Sequence, residues 1–310
     1  MRGRRSPLHN DSALAGALYD RRVSELQVPL LRWYDEHARD LPWRRTTATP
    51  WGVLVSELML QQTPVARVLP VYETWMERWP SPASLAAAPV GEAIRAWGRL
   101  GYPRRATRLH AAAVVITEQH AGAVPDSYDA LRALPGVGDY TASAVLAFAF
   151  GRRQAVLDTN VRRVLARAVT GVEFPPQSVT TGEKAVAVTL LPADEPTAAT
   201  WSVAVMELGA LVCTASSPGC DACPLRAQCA WRRAGHPPYD GPARRGQAWQ
   251  GTDRQCRGRL LALARDAEGS VPARAMEGAW PEPEQRARCL AALVDDGLLA
   301  TVEGGYALPG

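Results

Sequence analysis

The sequence predicts a mainly α-helical chain that ends in a small winged-helix-like α/β module. Three observations carry this. From Ser24 to about Phe174 the chain reads as successive helices, with apolar residues near helical spacing and short breaks between them. No run of alternating strands precedes the C-terminus, so an all-α body is the natural solution for the apolar faces. Near the end, Arg254–Ala264 and Glu282–Asp296 read as helices. Gly297–Leu308 then resembles a short hairpin, Leu-Leu-Ala-Thr-Val, Gly-Gly, Tyr-Ala-Leu.

The elements follow in order. Residues 1–23 are polar and Arg-rich and are expected to form a loose tail. Val28, Leu31, Trp33 and Tyr34 fall near helical spacing. Thr49-Pro50 has the form of an N-cap and first helical residue, opening a helix from Trp51 to Gln62 with Val55, Leu58 and Met59 on its apolar stripe. A helix led by Asp126 or Ser127 runs into Leu134-Pro135-Gly136-Val137-Gly138. A second, Tyr140–Phe150, leaves it, with Gly151 as C-cap. Further helices are expected at Arg162–Ala168 and in a segment ending at Leu211. Residues 233–251, rich in Pro, Gly and Arg, read as a linker to a module at 252–310.

Of the 310 residues 47% are hydrophobic, enough for a sizeable core. No stretch approaches the roughly 20 apolar residues of a membrane span, and no apolar signal core follows the basic Met1–Arg5. We expect an intracellular, cytoplasmic monomer with no membrane partner. The net charge is only +4, and Lys184 is the sole lysine. Chemistry through a Schiff-base lysine therefore has one candidate, and it sits in no motif.

Four motifs carry chemistry. Cys213, Cys220, Cys223 and Cys229 form C-x6-C-x2-C-x5-C on one short segment. A tight cluster in an intracellular chain points to metal rather than disulfides. The alternatives are a [4Fe–4S] cluster and a structural zinc ion. Zinc ribbons bring two separated C-x2-C knuckles and this segment has one, which favours the cluster. The second motif is Pro135-Gly136-Val137-Gly138, whose glycines let backbone N–H groups face an anion at a helix N-terminus. Such a turn grips a phosphate backbone without reading sequence; the bland reading is a plain glycine corner. The third is Leu157-Asp158-Thr159-Asn160-Val161, where Asp158 reads most simply as an N-cap. The fourth is Ser56–Thr63, with Glu57 inside an otherwise apolar helix.

These motifs, in this order and spacing, resemble the MutY family of adenine DNA glycosylases, of the helix–hairpin–helix superfamily that includes endonuclease III. The resemblance runs from about Leu26 to Arg232. It includes Leu41-Pro42-Trp43-Arg44, Leu100-Gly101-Tyr102 and the four cysteines. It implies a glycosylase body at 24–232: a six-helix barrel module at about 45–155, and an iron–sulfur cluster module of 24–44 with 156–232. Glu57 would protonate the purine, and Asp158 would stabilise the developing oxocarbenium sugar. That is the two-carboxylate logic of glycosidases. Tyr140 matches a position that carries lysine in lyase relatives, so the resemblance implies a monofunctional enzyme that leaves an abasic site. The purine must be extruded from the duplex. Gln62 and Tyr102, with Leu100, match the wedge into the gap, and Leu41, Trp43 and Arg44 match the base-pocket wall. The implied cofactor is a [4Fe–4S] cluster held by Cys213, Cys220, Cys223 and Cys229. The implied partner is double-stranded DNA with a mispair or an oxidised guanine.

Three departures stand out. Val203 occupies the position where familiar members place a Gln or Glu on the adenine edge. Pro103 replaces a tyrosine after Tyr102. Residues 252–310 are too short for, and unlike, the Nudix-like domain that helps read 8-oxoguanine. The leading expectation is excision of adenine opposite 8-oxoguanine or guanine. The alternatives are a related glycosylase for another damaged or mispaired base and a non-catalytic DNA-binding relative. The latter is disfavoured because Glu57 and Asp158 are both present.

Overall fold

A computed structural model describes residues 25–242 and 249–310. The tail expected at 1–23 and the middle of the expected linker lie outside them. The body is helical and its only described sheet lies near the C-terminus. No helix of the described residues is long and apolar enough to cross a membrane.

The chain divides into two compact units. One takes the chain up to Asp40 and Leu146–Gly241, and the other takes Leu41–Val145 and Pro242–Gly310. The sequence expectation places the corresponding divisions at about 44 and 155. Leu41–Arg44 goes with the second unit because Trp43 packs edge-on against Tyr72, with ring centres 5.0 Å apart.

In the first unit, residues 25–37 form α1, which buries Leu26, Leu30 and Trp33. Val28, which the spacing places among the apolar positions, is instead exposed, because the buried stripe runs through Leu26, Leu30 and Trp33. The partners of α1 are α9 (Thr159–Leu165), α10 (Thr181–Thr189) and α11 (Glu195–Leu211), contributing Val161, Val164, Ala187, Trp201, Val205 and Leu208 to one core. A π-helical turn, Ala166–Thr170, extends α9 and ends at Gly171 in the left-handed conformation. Arg39 and Glu207 form a bidentate pair at 2.6–2.7 Å, with Glu207 fully buried. The short α12 (Ala230–Arg233) follows the last cysteine.

The second unit is built on α2 (Pro50–Leu60), buried from Trp51 to Met59 and capped by the Thr49 hydroxyl, which accepts from the Gly52 N–H. Around it lie α3 (Val65–Arg78), α4 (Pro82–Ala86), α5 (Val90–Trp97), α6 (Arg104–Gln119), α7 (Tyr128–Ala133) and α8 (Asp139–Phe150). Ser127, rather than Asp126, caps α7. Trp75, Trp79 and Trp97 form an edge-on cluster in this core.

The C-terminal module belongs to the same unit. It runs α13 (Asp253–Asp266), β1 (Val271–Pro272), α14 (Ala273–Ala279), α15 (Pro283–Asp295), β2 (Ala300–Val302) and β3 (Gly305–Ala307). The sheet is antiparallel in the order β1–β3–β2. The hairpin was expected; β1 was not, because two residues beside a proline give no alternating pattern. Cys256 and Cys289 are buried free thiols on α13 and α15.

Candidate functional site

In the second unit, Glu57 lies on α2 with only 4% of its surface exposed. A carboxylate in a helix buried on all sides is costly unless it is hydrogen-bonded. Tyr140, from the first turn of α8, donates its hydroxyl to Glu57 Oε2 at 2.8 Å. Two motifs separate in sequence therefore meet at one carboxylate. Gln61 reaches the same helix, donating its amide to the Thr141 hydroxyl at 3.3 Å.

Beyond the end of α2, Gln62 adopts φ 56°, and in the turn before α6 Tyr102 adopts φ 47°. Left-handed backbone in a residue with a side chain is strained and persists only when its surroundings enforce it. Arg105 enforces both. Its guanidinium is buried and donates to the carbonyls of Leu58 at 2.9 Å, Met59 at 3.0 Å and Gln61 at 2.5 Å. Its second nitrogen donates to the Thr63 hydroxyl and the Gly101 carbonyl, both at 3.0 Å. Burial pulls its pKa down to about 10. Gln62 and Tyr102 face solvent, with Tyr102 42% exposed, while Leu100 is buried between them in sequence. Leu41 and Trp43 are likewise buried, in and before the 3-10 turn Pro42–Arg44.

The turn between α7 and α8 holds Pro135, Gly136, Val137 and Gly138. Gly136 has φ 82°, and a Cβ there would meet Arg108 Cβ at 2.9 Å. Gly138 faces open space. Arg132 clasps the turn, donating to the Val137 carbonyl at 2.7 Å and pairing with Asp139 at 2.8 Å. Gly136→Ala should cost about 1–2 kcal/mol for the left-handed backbone alone, with the Arg108 contact added. Gly138→Ala should leave stability within about 0.5 kcal/mol. Thermal unfolding of the two variants checks this, and equal losses would contradict it.

In the first unit, Asp158 caps α9. Its carboxylate accepts from the Val161 N–H at 2.6 Å and from the Asn160 side-chain amide at 3.0 Å. Burial pushes its pKa up, and the hydrogen bonds only partly oppose this. Asn160 in turn accepts from Arg163 at 2.8 Å, and Arg163 donates to the Cys213 carbonyl at 2.7 Å. One hydrogen-bonded path thus runs from Asp158 to the cysteine segment.

Cys213, Cys220, Cys223 and Cys229 line a single pocket, with Arg167, Arg226, Arg232 and Trp231 around them. Arg167 is buried, donates to Cys213 Sγ at 3.5 Å and to the Thr214 carbonyl at 2.7 Å, and lies over the Trp231 ring. Burial drives the Cys223 thiol up to about 12 and raises that of Cys220. Among the described residues no three Cys, His, Asp or Glu side chains converge as a single ion requires. A zinc ion needs its sulfurs about 2.3 Å away. Four cysteine sulfurs around one cavity are soft donors of the kind that hold thiolate-bound metal groups.

A family model described as HhH-GPD superfamily base excision DNA repair protein matches residues 55–179. An adenine DNA glycosylase of Mycobacterium tuberculosis is 53% identical over 283 residues, which is 91% of this chain and 92% of that protein. The chain belongs to the adenine DNA glycosylases of the HhH-GPD superfamily. A second adenine DNA glycosylase, from Mycolicibacterium smegmatis, is 51% identical over 91% of this chain and 96% of its own length. Among solved structures, a thermostable thymine-DNA glycosylase superposes with a TM-score of 0.62 at 26% identity, over 69% of this chain and 98% of that one. The mycobacterial alignments run nearly the full length of both partners.

Sequence reasoning missed Arg105, Arg163 and Arg167. Each binds mainly backbone carbonyls, which leave no mark in a sequence rich in arginine.

Proposed function

We propose that this glycosylase excises adenine mispaired with 8-oxoguanine or guanine in double-stranded DNA and leaves an abasic site. The observation that carries the reading is the buried Glu57–Tyr140 hydrogen bond at 2.8 Å, in a chain 53% identical to an adenine DNA glycosylase. A carboxyl shielded from water is suited to hold a proton for the leaving base. Breaking the N-glycosidic bond transfers that proton to the purine and leaves an electron-poor sugar. Asp158, pinned by Val161 and Asn160, supplies the opposing negative charge. Water then completes hydrolysis.

Gln62 and Tyr102, locked in left-handed backbone and turned to solvent, are the residues we assign to the wedge that replaces the extruded base. The Pro135–Gly138 turn takes a phosphate through backbone N–H groups. Leu41, Trp43 and Arg44 belong to the base pocket in this reading, with Leu100 supporting the wedge turn from the core.

Tyr140 offers no amine where a lyase needs one, and Lys184 is the chain's only lysine. Products from an adenine:8-oxoguanine duplex should therefore show strand cleavage only after alkali. Cleavage without alkali would overturn the monofunctional reading.

The four cysteines fit a [4Fe–4S] cluster, which would tie the segment after α11 to the first unit's core. When bound, it would supply thiolate–iron links to these four sulfurs in place of free thiols. Purified protein should be brown with broad visible absorption, and Cys223→Ser should lose that colour and unfold at lower temperature. A colourless, zinc-loaded protein of full activity would contradict the assignment.

The runner-up is excision of another mispaired base. Val203 favours it, because an apolar side chain stands on α11 where the family resemblance expects a hydrogen-bonding one.

A further inference from the structure

The turn that presents Tyr102 is strained along its length. Between α5 and α6, Gly98 adopts φ 54°, Gly101 φ 85° and Tyr102 φ 47°. Four successive carbonyls of this turn accept side-chain donors. Arg67 donates to the Arg99 carbonyl. The Thr63 hydroxyl donates to that of Leu100 at 3.2 Å. Trp97 and Arg105 both donate to that of Gly101 at 3.0 Å. These donors all belong to the helical body. The first carbonyl, of Gly98, differs: its donor is Arg265, in the last turn of α13 in the C-terminal module.

Arg265 is itself held in place. Its own carbonyl accepts from Arg95 on α5, which also donates to the Ala267 carbonyl at 2.9 Å. At the far end of the turn, Asp296, after α15, accepts from Arg104 at 3.1 Å and from Arg257 of α13. Between these ends, Arg254 of α13 lies 5.2 Å from the centre of the Tyr102 ring, and Arg105 lies 5.4 Å from it. At the start of α5, Gly91 donates its N–H to the Pro309 carbonyl at 2.9 Å, and a Cβ on Gly91 would meet that oxygen at 2.4 Å. An approach that only glycine permits leaves no slack between α5 and the C-terminal tail. The module therefore grips both ends of residues 98–104 and touches the ring between them.

We propose that the C-terminal module braces the Tyr102 wedge, with Arg265, through the Gly98 carbonyl, and Asp296, through Arg104, as positioning residues for base extrusion. A tyrosine in left-handed backbone relaxes to another conformation unless its surroundings enforce this one. Arg105 fixes the middle of the turn, at Gly101. The entry at Gly98 and the exit at Arg104 are fixed from the module. Unstacking a base is uphill, so a wedge works only if it does not yield as the stack pushes back. A turn held at both ends passes that load to the protein, whereas one held only in its middle gives way. Both residues act through Tyr102. This rests on the reading of Tyr102 as a wedge residue.

The test uses the full-length protein. Extrusion is followed on a duplex with 2′-fluoro-deoxyadenosine, which resists excision, opposite 8-oxoguanine. Beside it sits 2-aminopurine, whose fluorescence rises as stacking is lost. Single-turnover excision of adenine opposite 8-oxoguanine and thermal unfolding are read alongside. The variants are Arg265→Ala, Arg265→Lys, Asp296→Asn, Tyr102→Ala and the double variant Tyr102→Ala with Arg265→Ala. Arg265→Ala should slow extrusion and excision together by about tenfold, the scale of coupling carried through a packed network. Arg265→Lys keeps a donor for the Gly98 carbonyl and should recover most of the loss. Asp296→Asn should slow both by less, about twofold to threefold, because its ion pair with Arg104 is partly exposed. In the Tyr102→Ala background, Arg265→Ala should cost nothing further, as two residues acting through one contact require. An equal loss in both backgrounds would make Arg265 a general support of the fold and overturn the proposal. Unchanged extrusion in Arg265→Ala, with Tyr102→Ala slowed, would also overturn it and leave the wedge standing. If Tyr102→Ala extrudes as fast as the parent does, the wedge reading falls and the brace with it.

Discussion

Glu57→Gln is expected to lower single-turnover adenine excision by about 10²–10⁴-fold while leaving DNA affinity unchanged. Glutamine has nearly the same shape and fits the buried position on α2, where the residues from Trp51 to Met59 leave no room for rearrangement. Its carbonyl can still accept the Tyr140 hydroxyl that Glu57 accepts at 2.8 Å. What it lacks is a proton to give the departing purine. The fold and the DNA surface are therefore untouched, and only the chemical step is lost. Excision time courses and binding isotherms on one protein preparation separate the two. Weakened binding with intact excision would remove Glu57 from the role assigned to it.

Asp158→Asn is expected to abolish excision, by at least about 100-fold, and to leave the protein as stable as its parent or more so. Burial raises the Asp158 pKa above its unfolded value. An acid shifted in that direction binds protons more tightly when folded. Its contribution to stability therefore falls as pH rises from the unfolded pKa through the folded one, and the deficit persists at neutral pH. Asparagine caps a helix as well as aspartate does, and it carries no charge to bury. The gain in unfolding temperature should be largest at neutral pH and narrow as the pH is lowered and the parent carboxyl takes up its proton. A marked loss of stability at neutral pH would show that Asp158 serves the fold and not the reaction. Its path through Asn160 and Arg163 to the Cys213 carbonyl would then be purely a scaffold.

The features legible in the sequence were those whose cause is local. Thr49-Pro50 announces the start of α2 because a cap and a fixed φ act on the adjacent turn. The Pro135–Gly138 turn is legible because Gly136 must adopt φ 82°. The cysteine segment is legible because its donors lie within one short stretch. Glu57 stood out because a carboxylate among Val55, Leu58 and Met59 breaks an apolar pattern. What stayed hidden was non-local. Nothing near Arg105 in sequence shows that it gathers carbonyls from the end of α2 and from Gly101, and so sets the backbone of Gln62 and Tyr102. The contact of Tyr140 with Glu57 spans 83 positions. The third strand, Val271–Pro272, is too short to carry a period of two. Nor does the sequence show that Arg257 is paired with Asp296 or that Arg259 lies over Trp280.

The most direct measurement is single-turnover excision on matched duplexes that place adenine opposite 8-oxoguanine, guanine or cytosine, beside uracil, hypoxanthine and thymine mispairs, each read with and without alkali. The account predicts alkali-dependent cleavage at adenine opposite 8-oxoguanine and guanine, with adenine opposite cytosine and the other bases left intact. Cleavage confined to another base, with adenine untouched, would contradict it and place the altered specificity at Val203 on α11.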